Sequence, residues 1–172
     1  MARKVEVSKY DPDWVNEFEK EAVYLRNIFG GEMLKIHHIG STSIPGMDAK
    51  PIIDILMVVQ DIQKMDSFNQ IMQCVGYILK GENGIPGRRF FIKGDEAHHT
   101  HHLHVFQKGH ADITRHLNFR DYLIAHPEKA SEYARLKHRL ALQHYLDIES
   151  YQAGKEQFIQ LIDQKAKKWG KG

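Results

Sequence analysis

A loop of small hydroxyl residues, followed by a carboxylate on the next strand, is the first feature whose residue types could do chemistry. Gly40, Ser41, Thr42 and Ser43 leave one predicted strand, and Asp54 lies in the next. Glycine lets the backbone approach a phosphate closely, and hydroxyl groups donate to phosphate oxygens. A carboxylate on the adjacent strand could hold a divalent cation that bridges such phosphates. The pattern predicts a phosphate site; the alternative is an ordinary Ser-rich turn beside a strand carboxylate.

Histidines are concentrated near residue 100. His102 and His104 alternate with Leu103 and Val105, so the two imidazoles share one face of a strand. Since Leu103 and Val105 are expected in the core, the imidazoles are expected on the opposite, more open face, which Asp54 could also use. Two imidazoles and a carboxylate suit zinc, iron or manganese better than magnesium. The alternative is a polar sheet face whose histidines bond one another and solvent.

Basic side chains flank the same loop in sequence. Arg88 and Arg89 begin a later strand, and Lys50 comes just before the strand of Asp54. Guanidinium groups bind phosphate through two parallel hydrogen bonds, so paired arginines beside a phosphate loop would be useful. The alternative is a solvated strand start whose arginines pair with Glu82 or Asp95.

Hydrophobic periodicity predicts the elements that must position these residues. Asp11 and Pro12 are typical of a helix start, and apolar residues at helical spacing follow as far as Gly30. The apolar run from Ile52 to Val59, broken only by Asp54, is typical of a central strand. The predicted elements are a strand at 4–8, a helix at 12–29, strands at 33–39 and 52–59, a helix between 61 and 76, strands at 77–79, 88–93 and 99–106, and helices at 111–125, 128–146 and 150–168.

Composition narrows the class of protein. A length of 172 residues indicates one globular unit, and a single cysteine excludes an internal disulfide framework. The 24 Lys and Arg against 22 Asp and Glu give a net charge of +2, so a nucleic acid is not an expected partner. No run of about 18 apolar residues occurs, which predicts no membrane partner and a cytoplasmic location. The amphipathic C-terminal helices leave room for a homodimer.

Five ordered motifs, with an opening Tyr10-Asp11-Pro12-Asp13-Trp14, cover nearly the whole chain and resemble the GrpB family of bacterial proteins (UPF0157-type). The motifs are His38 to Gly46, Lys50 to Ile55, Pro86 to Phe91, His102 to Val105 and Phe119 to Leu123.

The resemblance implies an α+β, nucleotidyltransferase-like fold of the polymerase beta type, with a mixed sheet, flanking helices and a C-terminal helical segment. It implies a core at 1–109 and helices at 110–172 packed on it as one unit. By resemblance, Gly40 and Ser41 form the nucleotide-phosphate loop and Asp54 is the first metal carboxylate. The second carboxylate of that fold is replaced by Leu56.

Two functions follow as expectations. The first is metal-dependent nucleotidyl or phosphoryl transfer to or from a nucleotide or phosphorylated small molecule. The assigned roles are phosphate binding by Gly40, Ser41, Thr42, Ser43 and Lys50, metal binding by Asp54, His102 and His104, and catalysis by Asp54, His38, Arg88 and Arg89. The metal would be Mg, Mn or Zn. The second is a catalytically inactive protein on the same scaffold that binds a nucleotide or metal without turnover. The replacement of the second carboxylate by Leu56 favours this alternative.

Overall fold

The computed structural model describes residues 3–170, which form five strands and five α-helices. In chain order the elements are α1 (Asp13–Phe29), β1 (Met33–Ile39), β2 (Ile53–Val59), α2 (Asn69–Cys74), β3 (Tyr77–Leu79), β4 (Arg88–Gly94), β5 (His99–Gln107), α3 (Ala111–Ala125), α4 (Pro127–Gln143) and α5 (Ile148–Gly170).

The five strands form one mixed sheet in the order β1-β2-β5-β4-β3. The central strands β2 and β5 run parallel, and every other neighbouring pair is antiparallel. β4 and β5 form the hairpin expected from the turn residues between them. Helices surround this sheet and follow it, so the α+β class predicted from the sequence is confirmed.

The two faces of the sheet are covered by different parts of the chain. One face carries Ile55, Met57, Leu103 and Val105, which pack against the apolar side of α1. The other face carries Leu56 and Phe106, which pack against residues of α3. Side chains alternate along a strand, so Asp54, His102 and His104 belong to the second face. That face is covered by helices rather than open.

α1 begins where the sequence predicts, with one difference. Asp13 is its first residue and Pro12 its N-cap, one position later than predicted, and the Asp11 carboxylate accepts a hydrogen bond from the Asp13 N–H at 2.9 Å. Trp14, Phe18 and other residues of the predicted apolar stripe are buried against the sheet.

The three C-terminal helices form a second apolar cluster that includes the loop after β1. Ile44 and Met47 of that loop are buried with Leu123 of α3, Tyr133 of α4 and Ile162 of α5. The helices therefore pack on the segment that links the Gly-Ser loop to β2 and hold it in place.

The predicted strand at 4–8 is wrong. Only Ser8 makes a bridge, with Ala49, while the Val5 N–H bonds the Tyr145 carbonyl. Val5 is buried against Leu140 and Tyr151. The alternation of apolar and polar residues at 4–8 therefore reflects packing on the helices rather than pairing in the sheet.

The predicted helix between Asp61 and Gly76 is split. A 3-10 segment, Ile62–Phe68, precedes the short α2. The Asp61 carboxylate caps it by accepting from the Gln63 N–H, and the Ser67 hydroxyl bonds the Lys64 carbonyl, which competes with α-helical pairing.

Among residues 3–170, none of the helices combines the length and the apolar character needed to span a bilayer.

Candidate functional site

The sheet register brings Asp54, His102 and His104 together. Asp54 pairs with His102 across the parallel strands, and the neighbouring row on that face pairs Leu56 with His104. The Oδ1 atom of Asp54 lies 3.6 Å from His102 Nδ1 and 3.4 Å from His104 Nε2. The Asp54 side chain is 29% exposed and both imidazoles are less exposed, so the group lines a recess.

His104 has both ring nitrogens engaged. Arg88 Nη1 donates to His104 Nδ1 at 3.2 Å, and the opposite nitrogen faces Asp54. Since guanidinium is only a donor, Nδ1 must offer its lone pair, and we assign the ring proton to Nε2. Arg88 is 6% exposed and also donates to the backbone carbonyls of Glu82 and Asn83. Arg88 therefore orients His104.

His102 lies beside the same carboxylate and contacts a further histidine, with its Nε2 2.9 Å from His99 Nδ1. Burial lowers the pKa of His102 to about 4, although Asp54 opposes the shift, so the ring is neutral at pH 7. Burial alone would raise the pKa of Asp54, but the hydrogen bond from His104 and the nearby imidazoles hold it below its usual range. The recess thus presents an ionised carboxylate beside a neutral imidazole.

Gly40 brings the Gly-Ser loop against Asp54. Its φ of 71° is one that residues with side chains rarely adopt, and a Cβ there would lie 2.6 Å from Asp54 Oδ2. The glycine is therefore required by both its backbone conformation and the close approach of the carboxylate. Ser41, Thr42 and Ser43 follow as a single 3-10 turn.

A cavity of about 220 Å³ opens between this turn, Asp54 and the C-terminal helices. We call it the lysine cavity, and its charged and hydrogen-bonding members include Ser41, Lys50, Asp54, His102, Lys137 and Lys155. Thr42 and Tyr151 also line it.

Its three lysines come from three parts of the chain. Lys50 precedes β2, Lys137 lies in α4 and Lys155 lies in α5. Burial lowers the pKa of Lys50 to about 8, that of Lys137 to about 7 and that of Lys155 to about 8. The charge of Lys155 further lowers the pKa of the other two. The low pKa values express the cost of holding three ammonium groups together in a recess.

Few groups in the cavity offset these charges. Lys137 is 2% exposed and donates to the backbone carbonyl of Asp48. The ring of Tyr151 is contacted by Lys50 and Lys155, whose Nζ atoms lie 5.5 and 4.6 Å from its centroid. Among the described residues that line the cavity, Asp54 is the one carboxylate.

The loop hydroxyls are used unequally. Ser43 donates to the Gly40 carbonyl, and Thr42 Oγ1 lies 2.8 Å from His38 Nε2. Of the predicted phosphate-binding residues, Ser41, Thr42 and Lys50 line the cavity. Gly40 shapes the turn and Ser43 closes it.

His38 and Arg89 lie on the other face of the sheet, contrary to the expectation that they stand with Asp54. His38 pairs in register with Ile55, stacks on Phe18 with ring centroids 4.8 Å apart, and has its pKa lowered by burial to about 4. Arg89 bonds Asp66 through Nε at 2.8 Å and Nη2 at 3.3 Å. Neighbouring residues of a strand point to opposite faces of the sheet, so His38 lies opposite to Ile39 and Arg89 lies opposite to Arg88.

The side chains do not fit a metal site in this arrangement. Within residues 3–170, no group of three or more His, Cys, Asp or Glu side chains is placed to hold a metal ion. His104 Nδ1 accepts from Arg88, and the proton on Nε2 points to Asp54. This geometry does not favour the metal roles predicted for His102 and His104.

Lys137, Tyr151 and Lys155 are site residues that the sequence reading missed. Tyr133, Lys137 and Leu140 follow one another at helical spacing on the buried side of α4, and Tyr151, Lys155 and Ile162 do so on α5. A lysine that interrupts an apolar stripe is the signal that could have found them.

Three comparisons place the chain among known proteins. A family model described as GrpB protein matches residues 4–165. UPF0157 protein YqkA of Bacillus subtilis (strain 168) is 50% identical over 170 residues, which are 99% of this chain and 49% of that relative; this chain thus spans about half of its length.

Solved structures match this chain as well. The crystal structure of conserved protein GrpB from Enterococcus faecalis has a TM-score of 0.91 and 43% identity, and the match covers 95% of this chain and 99% of that one. A structure of Cid1 in complex with the UTP analog UMPNPP has a TM-score of 0.47 and 11% identity over 77% of this chain and 44% of that one. A likeness as small as the second does not bear on function.

Proposed function

This chain belongs to the GrpB family, and we propose that it binds a phosphorylated small molecule, of the nucleotide class, in the lysine cavity. The observation that carries the proposal is the convergence of Lys50, Lys137 and Lys155 on one cavity beside the Gly40-Ser41 turn.

Charge balance supports an anionic ligand. Three lysines and one carboxylate line the cavity, and His102 is neutral. Placing like charges in a recess is costly unless an anion joins them. A phosphate group would offset the excess positive charge and accept hydrogen bonds from the ammonium groups.

The polar groups around the lysines support a phosphate with an organic part. Ser41 provides a hydroxyl donor, while the Asp54 carboxylate can accept from a ligand hydroxyl such as that of a ribose. The Tyr151 ring is fully buried and backs the same wall beneath Lys50 and Lys155. Neither role needs the metal that the sequence resemblance implies.

Group transfer is the second candidate, and one observation favours it. Asp54 stays ionised in the recess, with its pKa below the usual range, next to a cluster of cations. An ionised carboxylate beside a bound phosphate could accept a hydrogen bond from an attacking hydroxyl and so orient it. The hydroxyl oxygen would bond to phosphorus, the phosphoanhydride oxygen would leave beside the lysine ammonium groups, and the hydroxyl proton would pass to solvent. Under this reading Asp54 is a catalytic residue, and under the binding reading it is only a ligand contact.

Calorimetric titration tests the binding proposal. Inorganic phosphate, pyrophosphate, ATP and UTP are titrated into the wild type with and without Mg²⁺, then into Lys155→Met and the exposed-lysine control Lys20→Gln. Because Lys155→Met loses one charged contact, we expect its affinity to be at least about tenfold weaker than that of the wild type. The control should bind with the affinity of the wild type. Absence of binding by all four compounds, or equal affinity in Lys155→Met, would overturn the proposal.

Asp54→Asn distinguishes the two candidates. Each nucleotide is incubated with the wild type and with the variant, and products are followed by ³¹P NMR. Turnover that is lost in Asp54→Asn supports transfer. Binding without turnover in either protein supports the binding module.

A further inference from the structure

A second basic cavity adjoins the lysine cavity. It has a volume of about 420 Å³, and its wall includes Arg3, Lys4, Glu6, Lys50, Ile52 and His99. We call it the outer cavity. Lys50 and Ile52 line both cavities, so the two lie on either side of these residues.

The outer cavity is positive in its own right. Arg3, Lys4 and Lys50 line it, and Glu6 is the carboxylate among its lining residues that the structure describes. Burial lowers the pKa of Arg3, while the charge of Glu96 opposes that shift. Glu96 is itself paired with Lys80 at 3.2 Å, which reduces its ability to neutralise Arg3.

Size separates the roles of the two cavities. Small-molecule sites usually have volumes of about 300 to 1,000 Å³. The lysine cavity, at about 220 Å³, is smaller than that range, although it can hold phosphate groups. The outer cavity, at about 420 Å³, lies within the range by itself, so it can hold the part of a ligand that the lysine cavity cannot.

We infer that the ligand carries two separate anionic groups, one in the lysine cavity and one in the outer cavity, with Lys50 between them. This inference rests on the proposed phosphate binding and adds the class of ligand: a compound with phosphates, or a phosphate and a carboxylate, at two separated positions. A contact also joins the cavity walls, because His99 of the outer cavity lies 2.9 Å from His102 of the lysine cavity.

Three probes of different shape test the inference by calorimetry. Fructose 6-phosphate has one phosphate, pyrophosphate has two adjacent phosphates, and fructose 1,6-bisphosphate has two separated phosphates. We expect the bisphosphate to bind the wild type at least about tenfold more tightly than the monophosphate, since a second charged contact adds to the first.

Variants locate the source of that gain. The double variant Arg3→Gln, Lys4→Gln should lose most of the gain for the bisphosphate and keep the affinity for the monophosphate. The double variant Lys20→Gln, Arg26→Gln removes the same charges from exposed positions on α1 and should keep the gain.

The outcomes separate the two proposals. If the bisphosphate binds no more tightly than the monophosphate, or keeps its gain in Arg3→Gln, Lys4→Gln, the two-anion inference falls while phosphate binding stands. If none of the three probes binds while ATP or UTP does, the two-anion inference also falls, and only when ATP and UTP fail to bind as well does the proposed function itself fail.

Discussion

The carboxylate of Asp54 lies against the bare α-carbon of Gly40, so closely that a Cβ on Gly40 would be 2.6 Å from Asp54 Oδ2. This relationship ties the Gly-Ser turn of the chain to the acid on the next strand. The contact can therefore be tested by substituting either residue, Gly40 or Asp54.

Gly40→Ala should lower the free energy of unfolding by about 2 to 4 kcal/mol, since it adds backbone strain and a clash with Asp54. Gly46→Ala is the matched control, because Gly46 also has a positive φ, 78°, but a Cβ there meets nothing within 4 Å. Urea denaturation measures both. An Asp54→Ala background removes the Oδ2 and Cγ contacts but keeps the Cβ at 3.1 Å, so the excess cost at Gly40 should fall without vanishing. A cost that stays the same would show that the clash is not its source.

Lys137→Met should stabilise the folded protein at neutral pH by about 1 to 3 kcal/mol, because it removes a buried charge and keeps the side-chain volume. The pKa of Lys137 is lowered to about 7, below the value in an unfolded chain. The unfolded state therefore binds more protons between that pH and about 10.4, and wild-type stability gains from raising the pH across this window.

Urea denaturation at several pH values between about 6 and about 10 measures the effect. Lys137→Met should show a smaller rise in stability with pH than the wild type, while the exposed control Lys20→Met should follow the wild type. A Lys137→Met protein less stable than wild type at the acidic end of this range would mean that the bond to the Asp48 carbonyl outweighs the burial of charge.

Affinity for sulfate should fall as the pH rises from about 6 to about 9, because the lysines of the cavity lose their protons with pKa values of about 7 to 8. Sulfate is the right probe, since its charge is constant over that range. Titration calorimetry in buffers of different ionisation enthalpy should also detect proton uptake on binding near pH 8. An affinity independent of pH would contradict the role of these lysines.

The ring proton of His104 should reside on Nε2, and it should stay there when Arg88 is removed, because the Asp54 carboxylate still accepts it. Long-range ¹H–¹⁵N correlation spectra of the histidines assign the tautomer in the wild type and in Arg88→Met. We expect the Nδ1 resonance of His104 to shift, because that nitrogen loses the Arg88 donor, and little change at His38, which lies on the other face of the sheet. A wild-type spectrum with the proton on Nδ1 would refute the assigned hydrogen-bond direction.

Strand periodicity was sufficient to predict part of the site. The alternation of His102 and His104 with Leu103 and Val105, and the isolation of Asp54 in an apolar strand, correctly put the three side chains on one face. For β1, alternation separates His38 from Ile39 but does not reveal which of the two faces Asp54. The register decides it, because Ile39 pairs with Asp54.

Lys137 and Lys155 interrupt the apolar stripes of α4 and α5, but that pattern does not show which cavity the two side chains face, because this depends on how the helices pack. The strand expected at 4–8 failed for a related reason. Val5 alternates with polar neighbours because it is buried by Leu140 and Tyr151, which a sequence pattern cannot distinguish from pairing in a sheet.

The parallel pairing of β2 with β5 has a kinetic consequence for the cavity. Asp54 and His102 are separated by a long stretch of chain, and Lys155 lies further along the sequence still, in α5. Contacts between distant parts of a chain form late in folding. A ligand that bridges Lys50, Lys137 and Lys155 would therefore act mainly on the native state, slowing its unfolding and lengthening its lifetime while leaving the rate of folding nearly unchanged.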